Sequence, residues 1–136
     1  MHGTLVAKSA QGVLLRGPSG AGKSDLALRL LGRGWQLVSD DQVLLSRCGD
    51  SVHGTAPRQL AGLLEVRGIG IVTVAHLTSA RIWAVVDLGP SDHVERMPSP
   101  TKLELIGVPI NSFKLYSFEA SAPEKLELLL RSVVST

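Results

Sequence analysis

Cysteine is nearly absent from this chain: Cys48 is the single one in 136 residues. That excludes a disulfide framework and a multi-cysteine zinc site, and it suits a reducing compartment. There is no apolar run near 18 residues, so no transmembrane helix is expected. Met1-His2-Gly3 lacks a basic region followed by an apolar stretch, so no signal peptide is expected and the placement implied is cytoplasmic. The formal net charge is only +2, without a basic block, and nucleic-acid binding is not indicated. Internal repeats and low-complexity stretches are also missing.

What remains is ordinary globular material. The length fits one domain over residues 1–136, large enough to bury a core unaided. The 14 glycines and 7 prolines mark many tight turns. Gly3–Ala7, Gly12–Arg16, Trp35–Val38, Val43–Leu45, Leu63–Val66, Ile71–Val74 and Arg81–Leu88 read as strands, with Leu103–Val108 and Phe113–Tyr116 weaker ones. Cys48–Ala61 and Gly89–Thr101 read as turn-rich loops. From Ser24, Leu26 and Leu30, with Ala27 and Leu31, stand four apart and predict a helix closed by Gly32 and Gly34. Ser121-Ala122-Pro123-Glu124 is a capping box. It predicts a helix to about Val134, with Leu126, Leu129, Leu130 and Val133 as its apolar face.

Between the second strand and the first helix lies Gly17-Pro18-Ser19-Gly20-Ala21-Gly22-Lys23-Ser24, a full match to G-x-x-x-x-G-K-[ST]. Glycines let backbone N–H groups converge on phosphate oxygens, and the helix that follows adds a positive partial charge. Lys23 is placed to reach the β/γ-phosphates, and the Ser24 hydroxyl to bind Mg²⁺. Two acidic candidates complete such a site. One is the pair Asp40-Asp41 after Trp35–Val38; the other is Asp87, closing a strand that resembles a Walker B segment. Paired carboxylates near a γ-phosphate can divide the work, one holding metal and the other accepting the proton of an attacking hydroxyl.

His2-Gly3, the phosphate loop, Arg33-Gly34, Asp40-Asp41 and Leu64-Glu65-Val66-Arg67-Gly68-Ile69-Gly70-Ile71 follow one another at close spacing. In this the chain resembles the catalytic domain of the bacterial HPr kinase/phosphorylase family, especially its short alphaproteobacterial type without the N-terminal regulatory domain. The resemblance covers residues 2 to about 74 well and is loose from 75 to 136. It implies an α/β fold related to phosphoenolpyruvate carboxykinase, a mixed β-sheet with flanking helices around the phosphate loop. It further implies transfer of phosphate from ATP to a serine of the phosphocarrier HPr, often with a reverse phosphorolysis that releases pyrophosphate, and a homo-oligomer, commonly a hexamer.

Carried onto these residues, the resemblance gives Lys23 the neutralisation of phosphoryl charge and makes Ser24 and Glu65 ligands of Mg²⁺. It makes Asp41 the base that takes the serine proton and Asp40 an assistant through charge or metal. His2 hydrogen-bonds near the acidic pair, and Arg67, Gly68 and Gly70 shape the catalytic loop. The residues agree on their own terms: Glu65 and Arg67 alternate with Val66 on a strand and share a face.

The chain departs from the family in having Thr73 where a polar Asn or Asp is usual. It also has no counterpart, around Ile106–Lys114, of the basic loop whose arginine serves phosphorolysis. His53, His76 and His93 share no metal-ligand spacing. Trp35 and Trp83 are expected in the core, and Cys48 and Arg58 in polar loops without a chemical role. Two other functions stay open on the residues alone: a small-metabolite kinase using Asp87, and a nucleotide-sensing module that transfers nothing.

Overall fold

The computed structural model describes residues 1–135, with side chains to Arg131. The expected Val133 side chain lies outside the described residues. A mixed α/β architecture results. β1 (Thr4–Lys8), β2 (Gln11–Arg16), β3 (Gln36–Ser39), β8 (Ser79–Leu88), β9 (Thr101–Leu105) and β10 (Val108–Leu115) form a sheet in the order β3-β1-β2-β8-β10-β9. The hairpin β4 (Leu44–Cys48) and β5 (Ser51–Thr55) joins it through the start of β8. β6 (Leu63–Val66) and β7 (Gly70–Thr73) make a separate two-stranded sheet. Helices α1 (Lys23–Leu31) and α2 (Ala122–Ser135) complete the described residues, apart from two 3₁₀ turns.

The central strands are near-continuous apolar runs because both faces of the sheet are buried. Val6, Val13, Leu15, Leu37, Ala84, Val86 and Leu88 form one layer with Leu26, Ala27 and Leu30 of α1 and Leu126, Leu129 and Leu130 of α2. Leu5, Ala7, Leu14, Val38, Ile82 and Val85 face the other way, onto Val43, just before β4, and Val52 of β5. Strict alternation would put Ile82 and Ala84 on one face. They part because the β2–β8 register jumps from Gly12↔Ile82 to Val13↔Ala84. The one-residue bulge at Trp83 inverts the phase of the strand. It leaves Trp83 half-buried, with the Arg81 guanidinium 4.3 Å from its ring centre, whereas Trp35 is in the core as expected.

Two expectations are corrected. Cys48–Ala61 is not all loop: Ser51–Thr55 is a strand. It escapes a hydrophobicity reading because Val52 is its one apolar residue, and Gly54 is there for space. A Cβ on Gly54 would stand 2.9 Å from the Val43 side chain and collide with Leu5. Likewise Leu103–Val108 is not one strand. The chain reverses at Ile106 (φ 40°) and Gly107 (φ 85°), giving the β9–β10 hairpin. A left-handed isoleucine at a turn runs against its own preference, so the sequence hides that reversal.

This topology brings a set of chain ends to one edge. β2, β8 and β10 run parallel, with Arg16 opposite Asp87 and Leu115 opposite Leu88. β1 runs antiparallel to β2 and β3 antiparallel to β1, with Thr4 opposite Leu15 and Leu5 opposite Ser39. The start of β1 and the ends of β2, β3, β8 and β10 therefore meet at the same rim of the sheet.

Candidate active site

The loop Gly17–Gly22 leaves β2 at that rim and runs straight into α1. Gly22 caps the helix in a left-handed conformation (φ 91°) and offers no side-chain cap. The first backbone N–H groups of α1 are thus left for a ligand, where the helix dipole favours an anion. Lys23 is buried and curls over its own loop, its Nζ donating to the carbonyls of Gly17 at 2.7 Å and Pro18 at 3.2 Å. An ammonium has three N–H groups, so one stays available for a phosphate oxygen. The Pro18 carbonyl also accepts the Ala21 N–H at 3.0 Å, which tightens the turn.

Asp40 and Asp41 leave the end of β3 in different directions, which relieves their mutual repulsion. Asp40 is buried and accepts three donors: the Thr4 hydroxyl at 2.9 Å, the Ser24 hydroxyl at 2.9 and 3.1 Å, and the Glu65 N–H at 3.2 Å. Asp41 is exposed, sits at φ 73°, and meets the His2 ring, with Nε2 at 3.0 Å from Oδ1. Aspartate tolerates the left-handed region better than most residues. Neighbouring backbone bonds hold the turn: Gly3 N–H donates to the Asp41 carbonyl at 3.0 Å, and Val43 N–H to the Met1 carbonyl at 2.8 Å.

A cavity of about 340 Å³ opens here, lined by His2, Ser19, Gly20, Gly22, Lys23, Ser24, Asp40, Asp41, Glu65 and Arg67, among others. The structure therefore brings together His2, Lys23, Ser24, Asp40, Asp41 and Glu65. Gly17, Pro18 and Ala21 shape the loop from outside the lining. The expectation that Glu65 and Arg67 share a strand face is corrected: β6 ends at Val66, and Arg67 begins the turn closed by Ile69 N–H donating to the Val66 carbonyl at 3.0 Å. Arg67 reaches the cavity from that turn. Asp87 is outside the lining, engaged by Arg16. His93 has a supporting role, its Nε2 3.0 Å from the Leu115 carbonyl. Cys48 is exposed.

Sequence reasoning missed Thr4. The clue available was a lone hydroxyl in the apolar stretch Thr4-Leu5-Val6-Ala7, two residues from His2. It also missed Phe118, which lines the cavity from the far end of the chain.

Oxygen ligands dominate the acidic half of the cavity. Ser24 Oγ donates its proton to Asp40, which leaves its lone pairs for a hard cation, and Glu65 adds an exposed carboxylate. Among the described residues no group of three or more His, Cys, Asp or Glu forms a cage of its own. This donor set fits Mg²⁺, which binds through one or two protein oxygens and completes its shell with water and phosphate.

The family model of the HPr Serine kinase C-terminal domain matches residues 1–88, a span that holds each acidic and phosphate-loop residue described above. The chain belongs to that family. Among its relatives, the HPr kinase/phosphorylase of Bordetella pertussis is 36% identical over 146 aligned residues, covering 98% of this chain and 46% of the relative. That of Exiguobacterium sibiricum is 49% identical over 81 residues, covering 59% of this chain and 26% of the relative. The chain thus spans less than half the length of these two HPr kinase/phosphorylases. The solved structure of the Hpr(Ser) kinase/phosphatase from Coxiella burnetii superposes with a TM-score of 0.85 at 24% identity, covering 97% of this chain and 88% of that one. This match shows that the mixed-sheet fold is shared. Among the described residues of this family member, no helix is long and apolar enough to cross a membrane.

Proposed function

We propose that this chain is the catalytic domain, over residues 1–136, of an ATP-dependent protein-serine kinase whose acceptor is an HPr-like phosphocarrier protein. The observation that carries the reading is the convergence of an anion-binding helix start, a buried carboxylate on the Ser24 hydroxyl and an exposed carboxylate at Asp41 around one cavity. In the mechanism, the loop N–H groups and Lys23 cradle the phosphate chain and offset the charge that builds on it during in-line transfer. Ser24 and Glu65 would hold Mg²⁺, with Asp40 orienting Ser24, and the cation would supply charge neutralisation to the phosphate chain. Asp41, exposed beside His2, aligns the incoming serine and accepts its proton, and His2 steadies that carboxylate.

Phosphorolysis is expected to be weak. Two anions, phosphate and phosphoserine, must then share the site. Arg67 is the one arginine among the lining residues, and Lys114 on β10 stands outside the lining. By family resemblance the protein acts in the cytoplasm as a homo-oligomer, a hexamer.

The test is an incubation with radiolabelled ATP and, in parallel, HPr, a panel of small metabolites, or no acceptor. Label on a serine of HPr alone is the expected result. Label on a metabolite would favour a small-molecule kinase, and tight ATP binding without transfer a nucleotide-sensing module.

A further inference from the structure

We propose that Phe118 is the platform on which the base of the bound nucleotide stacks. The inference rests on the nucleotide-binding reading above and adds a site for the half of the ligand that the phosphate loop does not hold. Phe118 lies outside the span matched by the family model. It is 55% exposed yet lines the phosphate-loop cavity.

An aromatic ring so exposed is usually mobile, but this one is held in place. The Ser117 hydroxyl next to it donates to the Ala21 carbonyl inside the phosphate loop. Arg29 of α1 donates to the carbonyls of Ser117 and Glu119 on either side of the ring. Tyr116 meets Phe118 edge-on, with centroids 5.7 Å apart and planes at 69°. The ring also abuts the loop itself: a Cβ added to Gly22 would lie 3.0 Å from it. A rigid, half-open aromatic beside the phosphate cradle is the arrangement that binds a planar base through its π-face.

The sheet order fixes the direction. Counting from β2, which delivers the phosphate loop, Asp41 follows β3, two strands to one side, and Phe118 follows β10, two strands to the other. A nucleotide lying through the loop with its transferable phosphate toward Asp41 points its base toward Phe118.

The experiment compares binding of Mg²⁺-ATP and Mg²⁺-tripolyphosphate, which lacks a base, by calorimetry on the full chain. Phe118→Ala is expected to weaken Mg²⁺-ATP on the order of 10-fold and to leave tripolyphosphate unchanged. Phe118→Trp is expected to bind Mg²⁺-ATP like the parent, with the added indole emission quenched by ATP and not by tripolyphosphate. Undiminished ATP binding by Phe118→Ala overturns the platform, as does equal loss of both ligands, which would mean a general disturbance of the loop. Failure of the unmutated chain to bind either ligand would overturn the nucleotide reading itself, and the platform with it.

Discussion

Arg16 and Asp87 face each other across the parallel pair β2–β8, and the guanidinium donates to both carboxylate oxygens, at 2.8 and 3.2 Å. This bidentate clasp gives the Walker-B-like aspartate a structural occupation at the base of the phosphate loop. It separates two acids that the sequence alone leaves as rivals. Asp41→Asn is expected to cut kinase turnover by roughly 10²–10⁴-fold with little change in ATP affinity. Asp87→Asn is expected to cost on the order of 1 kcal/mol of stability and far less turnover. Side-by-side kinetics and denaturant midpoints distinguish them, and a crippled Asp87→Asn with an active Asp41→Asn reverses the assignment.

Lys23→Ala is expected to abolish phosphoryl transfer while the far-ultraviolet spectrum and melting transition stay close to the parent's. Among the described residues the ammonium bonds only to carbonyls of its own loop, so its removal unties no core contact. Normal rates in a folded variant would contradict the role of the loop.

Glu65→Gln is expected to raise the Mg²⁺ concentration needed for half-maximal activity severalfold, because an amide oxygen is a poorer partner than a carboxylate for a hard cation. Glu65 also binds Asp40, but through its backbone N–H, which the substitution keeps. Mg²⁺ titrations that superimpose would remove Glu65 from the metal site.

Stability should depend on pH through Glu127. Its carboxyl is held below the ordinary value of 4.5 by hydrogen bonds from Lys8 first and Arg33 second; Lys8 stands at 2.6 Å and Arg33 Nε at 2.7 Å. A lowered carboxyl pKa contributes stability that is present above 4.5 and lost as pH falls through the lowered value. Glu127→Gln should therefore lower the unfolding free energy near pH 7 by about 1 kcal/mol. The gap to the parent should close in acid, and a gap independent of pH would refute the linkage.

Given serine-phosphorylated HPr, Mg²⁺ and inorganic phosphate, the protein is expected to release pyrophosphate far more slowly than it runs the forward reaction. Comparable rates would mean that Arg67, or a side chain lent by another subunit, supplies the missing positive charge.

Much of this architecture was legible before the fold was known. Apolar runs gave the central strands, and i, i+4 spacing gave α1. The phosphate loop and Asp40-Asp41 stood out by residue type, and the Glu65 segment by resemblance. What stayed hidden depended on partners distant in sequence. Ser51–Thr55 becomes a strand because Gly54 fits beneath Leu5 and Val43, and the Trp83 bulge exists only in register with β2. Thr4 and Phe118 gain their roles from Asp40 and from the phosphate loop, 36 residues away for Thr4 and at the far end of the chain for Phe118.

The place of β8 in the sheet has a consequence for how the chain folds. β2 can pair early with β1 through a tight turn, but its other neighbour is β8, which begins at Ser79. Until that strand is inserted, the phosphate loop hangs from an unsealed edge, prone to pair with other chains. Parallel pairing across such a span must overcome loop-closure entropy before it yields contacts, so it forms late. The β2 amides that pair with β8 should then become protected from hydrogen exchange in the same kinetic step as those of β8 itself, and later than those of the β4–β5 hairpin.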